Sequence, residues 1–407
     1  MREETRFIFA ADGHALALTR LRPGPLSSSS PSPASEGLGA EMRAEMRAEM
    51  RAEMRAEMGA EQPGAWVSDA SQEAPAFLLI HGFAQNRRTF TTSAFTSGLF
   101  ERGAQVFVGE LRGHGLSRQP EDARATWRLR TLLNLDLPAL VEAVSTEVGS
   151  PIHLVGHSLG GMLGYAFLAR RPRLASLITF AAPVVIGGGR NFFRLLSATL
   201  GPVLGAYPGR VPMDRILRQA ADPLVLRRPG PLAWALQKVT GLVNAGAVDS
   251  EAAREVLSKC DPESPALIRE LARMAVARST VFDVSPPANA RADADVHVRS
   301  CADADAHAHA DVHSDAYAHA SVVSALDVAA CVRGSPIPVV AVVGGRDRFA
   351  PPSSVACLCE RGHAGRRLVI EMPSSAHVDV MVGPRARAAL DRIWAFSVGG
   401  ADEADLA

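Results

Sequence analysis

The chain has 407 residues, and its 43 Lys and Arg balance 43 Asp and Glu, so it carries no formal net charge. Without a basic field nothing holds a phosphate backbone at long range, which excludes nucleic acid as an expected partner. Two low-complexity stretches, 24–74 and 287–320, leave about 320 residues of ordinary composition, enough to bury a core without disulfides or metal.

The N-terminus has no apolar region of the secretory-signal kind, and no apolar run approaches the ~18 residues of a membrane span. Segments 6–10 and 15–21 are apolar-rich and flank Ala11-Asp12-Gly13-His14. Asp-Gly is a strong turn dipeptide, so the chain opens on a predicted β-hairpin. Residues 41–58 repeat Glu-Met-Arg-Ala. These residue types favour helix, yet a period of four stacks Glu41 over Glu45 and Arg43 over Arg47, and the Met positions drift by about 40° per repeat. A solvated, fraying helix or disorder is expected there.

Apolar runs then alternate with helical stretches, the pattern of a mainly parallel sheet covered by helices. Strands are predicted at 76–80, 105–109, 152–155, 177–181, 339–343 and 367–371. Helices are predicted at 93–102, 130–148, 159–170 and 384–396. Between Pro183 and Pro336 the rhythm gives way to helical segments, at 191–200, 231–243, 250–260 and 265–277. This is a helical insertion between two sheet strands. The apolar 191–200 segment could line a pocket or touch lipid, but packing within the insertion is the simpler reading. Near its end the Ala/Asp/His tract offers His307, His309, His313 and Asp311 as ligands. A metal site needs fixed geometry and supporting partners that a mobile repeat lacks, so none is expected. Five cysteines, an odd number without C-x-x-C spacing, read as reduced thiols of a cytosolic protein.

The chemistry concentrates where a short apolar strand runs into Gly156-His157-Ser158-Leu159-Gly160 and then a helix. A sharp strand-to-helix turn lifts the Ser158 hydroxyl above the sheet edge, and Gly156 and Gly160 give its strained backbone room. A serine needs a base, and the base needs an orienting acid. His377 sits in the loop after the last strand, and Asp347 directly follows the 339–343 strand. Both loops belong at the C-terminal ends of parallel strands, where catalytic loops gather. Asp379 is nearer to His377 in sequence, but two residues along the chain it would point away from the imidazole. For the oxyanion, the Leu159 amide at the helix start and the Phe83 amide in His81-Gly82-Phe83-Ala84 are the predicted donors. His81 and His157 read as structural neighbours.

These marks, in this order, resemble the α/β-hydrolase superfamily over residues 76–183 and 336–396. Glu110-Leu111-Arg112-Gly113-His114-Gly115-Leu116-Ser117 is similar to the family's D-x-R-G-H-G-x-S loop, with Glu110 replacing the usual Asp. That loop is mainly structural in the family, which keeps His114 out of the triad. The resemblance implies an α/β fold with a mostly parallel eight-stranded sheet, helices on both faces, and a helical cap inserted after the sixth strand. The expected divisions are the hairpin 1–23, the insertion 24–74, core segments 75–184 and 336–407, and the cap 185–335. The insertion departs from the family pattern by separating the second strand from the third.

In such a fold the nucleophile sorts the reactions. Ser158, with Asp347 and His377, favours acyl transfer to water, as in a carboxylesterase, lipase or thioesterase acting on a small acyl ester or lipid-like substrate. No metal or organic cofactor is required. An acyltransferase, a C–C bond hydrolase or a peptidase would use the same residues, and a non-enzymatic binding protein would keep the fold without the chemistry.

Overall fold

The computed structural model describes residues 1–23, 74–119, 122, 126–186, 191–220, 255–283 and 325–400. The predicted insertion, the helix at 231–243 and the Ala/Asp/His tract lie outside the described residues.

The hairpin pairs β1 (Arg2–Phe9) with β2 (Ala15–Arg22) in antiparallel register. It reaches four residues further toward the N-terminus than apolar content alone suggests, because polar side chains also pair across it. Thr5 and Thr19 hydroxyls lie 2.8 Å apart, and Arg22 meets Glu4 at 3.0 Å. The later strands are β3 (Ala76–Ile80), β4 (Gln105–Gly109), β5 (Ile152–His157) and β6 (Leu174–Phe180). They are followed by the short β7 (Val281–Asp283) and β8 (Ala325–Asp327), and then by β9 (Val339–Gly344) and β10 (Arg367–Met372). Eight of these form one sheet in the order β1-β2-β4-β3-β5-β6-β9-β10. Only the β1–β2 and β2–β4 pairings are antiparallel, so β2 is the single reversed strand.

The central strands read as unbroken apolar runs because both faces are covered. Along β9, Val339, Ala341 and Val343 enter one core while Val340 and Val342 enter the other. The first core is closed by helices Leu137–Val148 and Leu159–Phe167, the second by Ala94–Glu101 and Arg385–Ser397. Leu137, Leu140, Val141 and Val144 give Leu137–Val148 its buried stripe. A helix of that length is marginal alone, and burying four such side chains at about 2 kcal/mol each offsets that.

The sequence predicts one helix over 130–148. The chain instead makes a turn at Leu129–Thr131, a π-helical stretch at Leu132–Asp136, and then the α-helix. Pro138 has no N–H, and its ring crowds the carbonyl four residues back, so the turn ahead of it widens. The widened turn places the buried Asp136 carboxylate on Arg112, at 2.9 Å from its N–H and 2.8 Å from Nε. Arg112 also grips Asp12 of the hairpin turn through both terminal nitrogens, at 2.7 and 3.1 Å.

Between β6 and β9 the described helices are Asn191–Gly205 and Pro265–Ala277, at the predicted 191–200 and 265–277, and Met213–Ala220, which the sequence reading does not include. It also holds an antiparallel ribbon of β7 and β8 that the sequence does not announce. Three-residue strands carry no periodic signal, and their partners lie on opposite sides of the Ala/Asp/His tract.

Candidate active site

Three loops meet at the C-terminal edge of the parallel strands. β5 ends at His157, and Ser158 takes φ 50° and ψ −113° before helix Leu159–Phe167 begins. That left-handed backbone is strained for a residue with a Cβ, and hydrogen bonds hold it. The Ser158 N–H donates to the Phe180 carbonyl at 2.8 Å, and the Met162 N–H to the Ser158 carbonyl at 3.0 Å. Glycine is needed on either side because backbone closes in. A Cβ on Gly156 would sit 2.3 Å from the Gly161 nitrogen, and one on Gly160 would sit 2.3 Å from the Ile80 oxygen. Gly156→Ala is therefore expected to cost about 3 kcal/mol or more. Gly149→Ala, with open space around it and only its φ of 67° to strain, is expected to cost about 1 kcal/mol. Urea unfolding of the two variants measures the gap, and equal losses would show that the elbow yields.

His377 follows β10 and Asp347 follows β9. The two loops are stitched together: Arg346 N–H donates to the Ser375 carbonyl at 3.0 Å and Gly345 N–H to Met372 at 3.0 Å. Nδ1 of His377 lies 2.8 Å from Asp347 Oδ2, and Nε2 lies 2.9 Å from Ser158 Oγ. A carboxylate only accepts, so Nδ1 carries the proton and Nε2 presents its lone pair to the serine hydroxyl. Asp347 is itself fixed, its Oδ1 accepting from Phe349 N–H at 2.8 Å and Ala350 N–H at 2.9 Å. Both Asp347 and His377 are buried, whereas Ser158 is half-buried and open to a reactant. Asp379 instead accepts from the Ala376 N–H at 3.0 Å, bracing the histidine loop.

The His81-Gly82-Phe83-Ala84 loop packs against the elbow, since a Cβ on Gly82 would meet the Ser158 Cβ at 3.1 Å. The Gly82 N–H donates to Gln85 Oε1 at 3.0 Å, and the Ala84 N–H to Glu263 Oε2 at 3.1 Å. Between them, the Phe83 N–H has no acceptor among the described residues, and neither has that of Leu159.

The neighbouring histidines are buried and tied into the surrounding loops. His81 Nε2 accepts from the Leu111 N–H at 3.1 Å, so its Nδ1–H donates to the Gly82 carbonyl at 2.9 Å. Burial, with the charge of His114 adding to it, pushes His81 down to about 3. His157 Nδ1 donates to Gln85 Oε1 at 2.8 Å; its Nε2 lies 3.2 Å from the His377 carbonyl, but burial together with His377 pushes the ring down to about 3 as well, so it stays neutral and only the shorter contact is a donated hydrogen bond.

A family model described as serine aminopeptidase, S33, matches residues 71–248. A protein phosphatase methylesterase 1 of Gibberella zeae is 32% identical over 129 residues, 30% of this chain and 32% of that protein. A triacylglycerol lipase 2 of Arabidopsis thaliana is 27% identical over 118 residues, 26% of this chain and 28% of that protein. The chain thus spans about a third or less of the length of these relatives. A hydrolase of Pseudomonas aeruginosa PA01 has the same fold, with a TM-score of 0.51 at 14% identity, covering 97% of this chain and 98% of its own. The chain has the α/β-hydrolase fold.

In this fold, residues that carry no local sequence signal hold the loops in place. Segment 259–264 crosses the loop that starts at His81: Asp261 N–H donates to the Ala84 carbonyl at 2.7 Å, and Asn86 Nδ2 donates to the Lys259 carbonyl at 2.7 Å and to Asp261 Oδ2 at 2.9 Å. Glu263 lies fully buried beside them. Glu110, the acid that replaces the family's Asp, accepts from the Arg87 N–H at 3.0 Å and the Leu116 N–H at 2.9 Å. Its carboxylate lies over Gly115, where a Cβ would sit 1.7 Å from Oε1, so only glycine leaves room there.

Proposed function

We propose that this α/β-hydrolase cleaves carboxylic esters or thioesters through an acyl-enzyme formed on Ser158. The observation that carries this reading is the unbroken relay from Ser158 Oγ through His377 to Asp347, at 2.9 and 2.8 Å. The Phe83 and Leu159 amides, with no acceptor among the described residues, are the donors that this reading assigns to the oxyanion. Ser158 Oγ attacks the acyl carbonyl as its proton passes to His377 Nε2. Asp347 holds the resulting imidazolium, while the Phe83 and Leu159 amides receive the carbonyl oxygen as it becomes O⁻. Collapse of this adduct expels the alcohol or thiol, which takes the proton from Nε2. Water, deprotonated by the same nitrogen, then attacks the acyl-serine, releasing the acid and restoring the hydroxyl.

The names of two relatives, a methylesterase and a triacylglycerol lipase, favour an ester over an amide. The helical interval between β6 and β9 would act as the cap that shapes the acyl pocket. A cytoplasmic setting rests on the odd cysteine count without C-x-x-C spacing. Among the described residues no helix is long and apolar enough to cross a membrane.

A fluorophosphonate probe should label the protein stoichiometrically, and Ser158→Ala should abolish both labelling and turnover of p-nitrophenyl esters. A series from two to sixteen carbons would measure the pocket. A wild-type protein that neither labels nor turns over any ester would sink this reading in favour of a binding role. Labelling without hydrolysis would point to an acyltransferase.

A further inference from the structure

The Gly82–Phe83 peptide is anchored through its carbonyl, which accepts from His81 Nδ1 at 2.9 Å and from the Gln85 N–H at 3.1 Å. A trans peptide points its N–H opposite to its C=O, so these bonds turn the Phe83 N–H away from them. The following residue, Ala84, has φ 56°, a conformation that alanine does not hold by itself. Segment 261–263 holds it on both sides, Asp261 N–H donating to its carbonyl and Glu263 Oε2 accepting from its N–H.

Glu263 is itself surrounded by donors. Oε2 also faces His114 Nε2 at 3.2 Å, and Oε1 accepts from Trp127 Nε1 at 3.1 Å and from the Ser264 N–H at 2.8 Å. The other nitrogen of His114 meets the Arg112 carbonyl at 2.9 Å, and because the Glu263 carboxylate on Nε2 raises the ring against its burial, both nitrogens donate and the ring is an imidazolium. Burial would raise the Glu263 carboxyl, but the His114 charge and these hydrogen bonds hold it below the usual range. Four donors converge on two oxygens, so only an ionised carboxylate satisfies the site.

We propose that Glu263 is a positioning residue for catalysis: by holding the Ala84 N–H it locks the oxyanion loop in the form that presents the Phe83 amide to the developing O⁻. The assignment rests on the ester-cleaving reading above. It makes the interval between β6 and β9 part of the oxyanion machinery as well as a wall of the pocket. The carboxylate does not touch the substrate, so its effect belongs to the transition state and not to ground-state binding.

Glu263→Gln is isosteric, yet its NH₂ must face either the Trp127 and Ser264 donors or the Ala84 N–H. With His114 made neutral and presenting its Nε2 lone pair, the second orientation is favoured, and the loop loses its anchor. Expected for this variant are a far-UV CD spectrum like wild type and a kcat on a p-nitrophenyl ester lowered about 10- to 100-fold with KM within about twofold. Affinity for an alkylboronic acid, which forms a tetrahedral adduct on Ser158, should fall by the same factor. Trp127→Phe removes one donor from Oε1 and leaves Oε2 untouched, so its kcat should stay within about twofold. A folded Glu263→Gln protein with unchanged kcat and boronate affinity overturns the assignment, as does an equal loss of kcat in Trp127→Phe. Should Glu263→Gln not fold, Glu263→Asp keeps the charge but shortens the reach, and unchanged kcat there overturns it equally. Failure of both variants to fold would make Glu263 a folding residue and end the proposal. Wild-type protein that neither labels nor turns over ester would instead sink the ester reading itself, and this assignment with it.

Discussion

Asp347→Asn is expected to lower kcat/KM on a p-nitrophenyl ester by about 10⁴ without disturbing the fold. The argument is one of hydrogen-bond polarity. Oδ1 of Asp347 accepts from two backbone donors, the Phe349 and Ala350 N–H groups at 2.8 and 2.9 Å. An asparagine would keep its oxygen on those donors and turn its NH₂ toward His377. The imidazole then has to present a lone pair at Nδ1, which moves its proton to Nε2. A protonated Nε2 donates to Ser158 Oγ where it should accept, so the serine loses its base while every heavy atom stays in place. The rate of fluorophosphonate inactivation should fall in parallel with kcat/KM. A loss of less than tenfold would mean that Asp347 is not the acid that sets the histidine tautomer.

The parts of this site that are legible in the sequence are those where each residue follows its own apolar strand. Ser158, Asp347 and His377 come after β5, β9 and β10, and parallel strands deliver all three to one edge. The elbow glycines are legible for a related reason, because a tight turn leaves the same mark wherever it occurs. What stays hidden is support supplied from far along the chain. Glu263 stands just ahead of Ser264-Pro265, at the start of helix Pro265–Ala277, where an acid reads as a solvent-facing helix-start residue. Only the folded chain shows it buried against Ala84, 179 residues away. Gln85 is hidden differently. Its place in the loop is plain, but nothing local says that it will join the Gly82 N–H to His157. The π-helical turn falls in between: Pro138 is visible, and its consequence depends on Arg112 waiting for Asp136.

Stability should fall steeply on mild acidification, and three buried histidines set the slope. Burial pushes His153 down to about 4, and His81 and His157 down to about 3, with His114 adding to it at His81 and His377 at His157. In the unfolded chain each would titrate near 6.5. Between that value and the folded ones the unfolded state binds more protons than the native state, so stability rises with pH and is lost as pH falls below about 6.5. One proton changes the balance by about 1.4 kcal/mol per pH unit, so at pH 4.5 the three histidines together remove about 8 kcal/mol, on the order of a whole domain's stability. Glu110 and Asp136, which burial raises, return part of this at the acid end. His114 has the opposite sign. Burial opposes its charge, but Glu263 raises it, so it is protonated in both states below about 6.5, and its contribution is lost only as pH climbs through its raised value. Urea unfolding at pH 7.5, 6 and 5 should show the midpoint dropping across the series. His153 lies 2.9 Å from Ser176 Oγ and stacks on Phe77 at 4.5 Å, so His153→Gln keeps a polar partner while removing one titrating group. That variant should shed about a third of the acid slope. Midpoints that stay level between pH 7.5 and 5 would mean that these imidazoles are already protonated or solvated in the native protein.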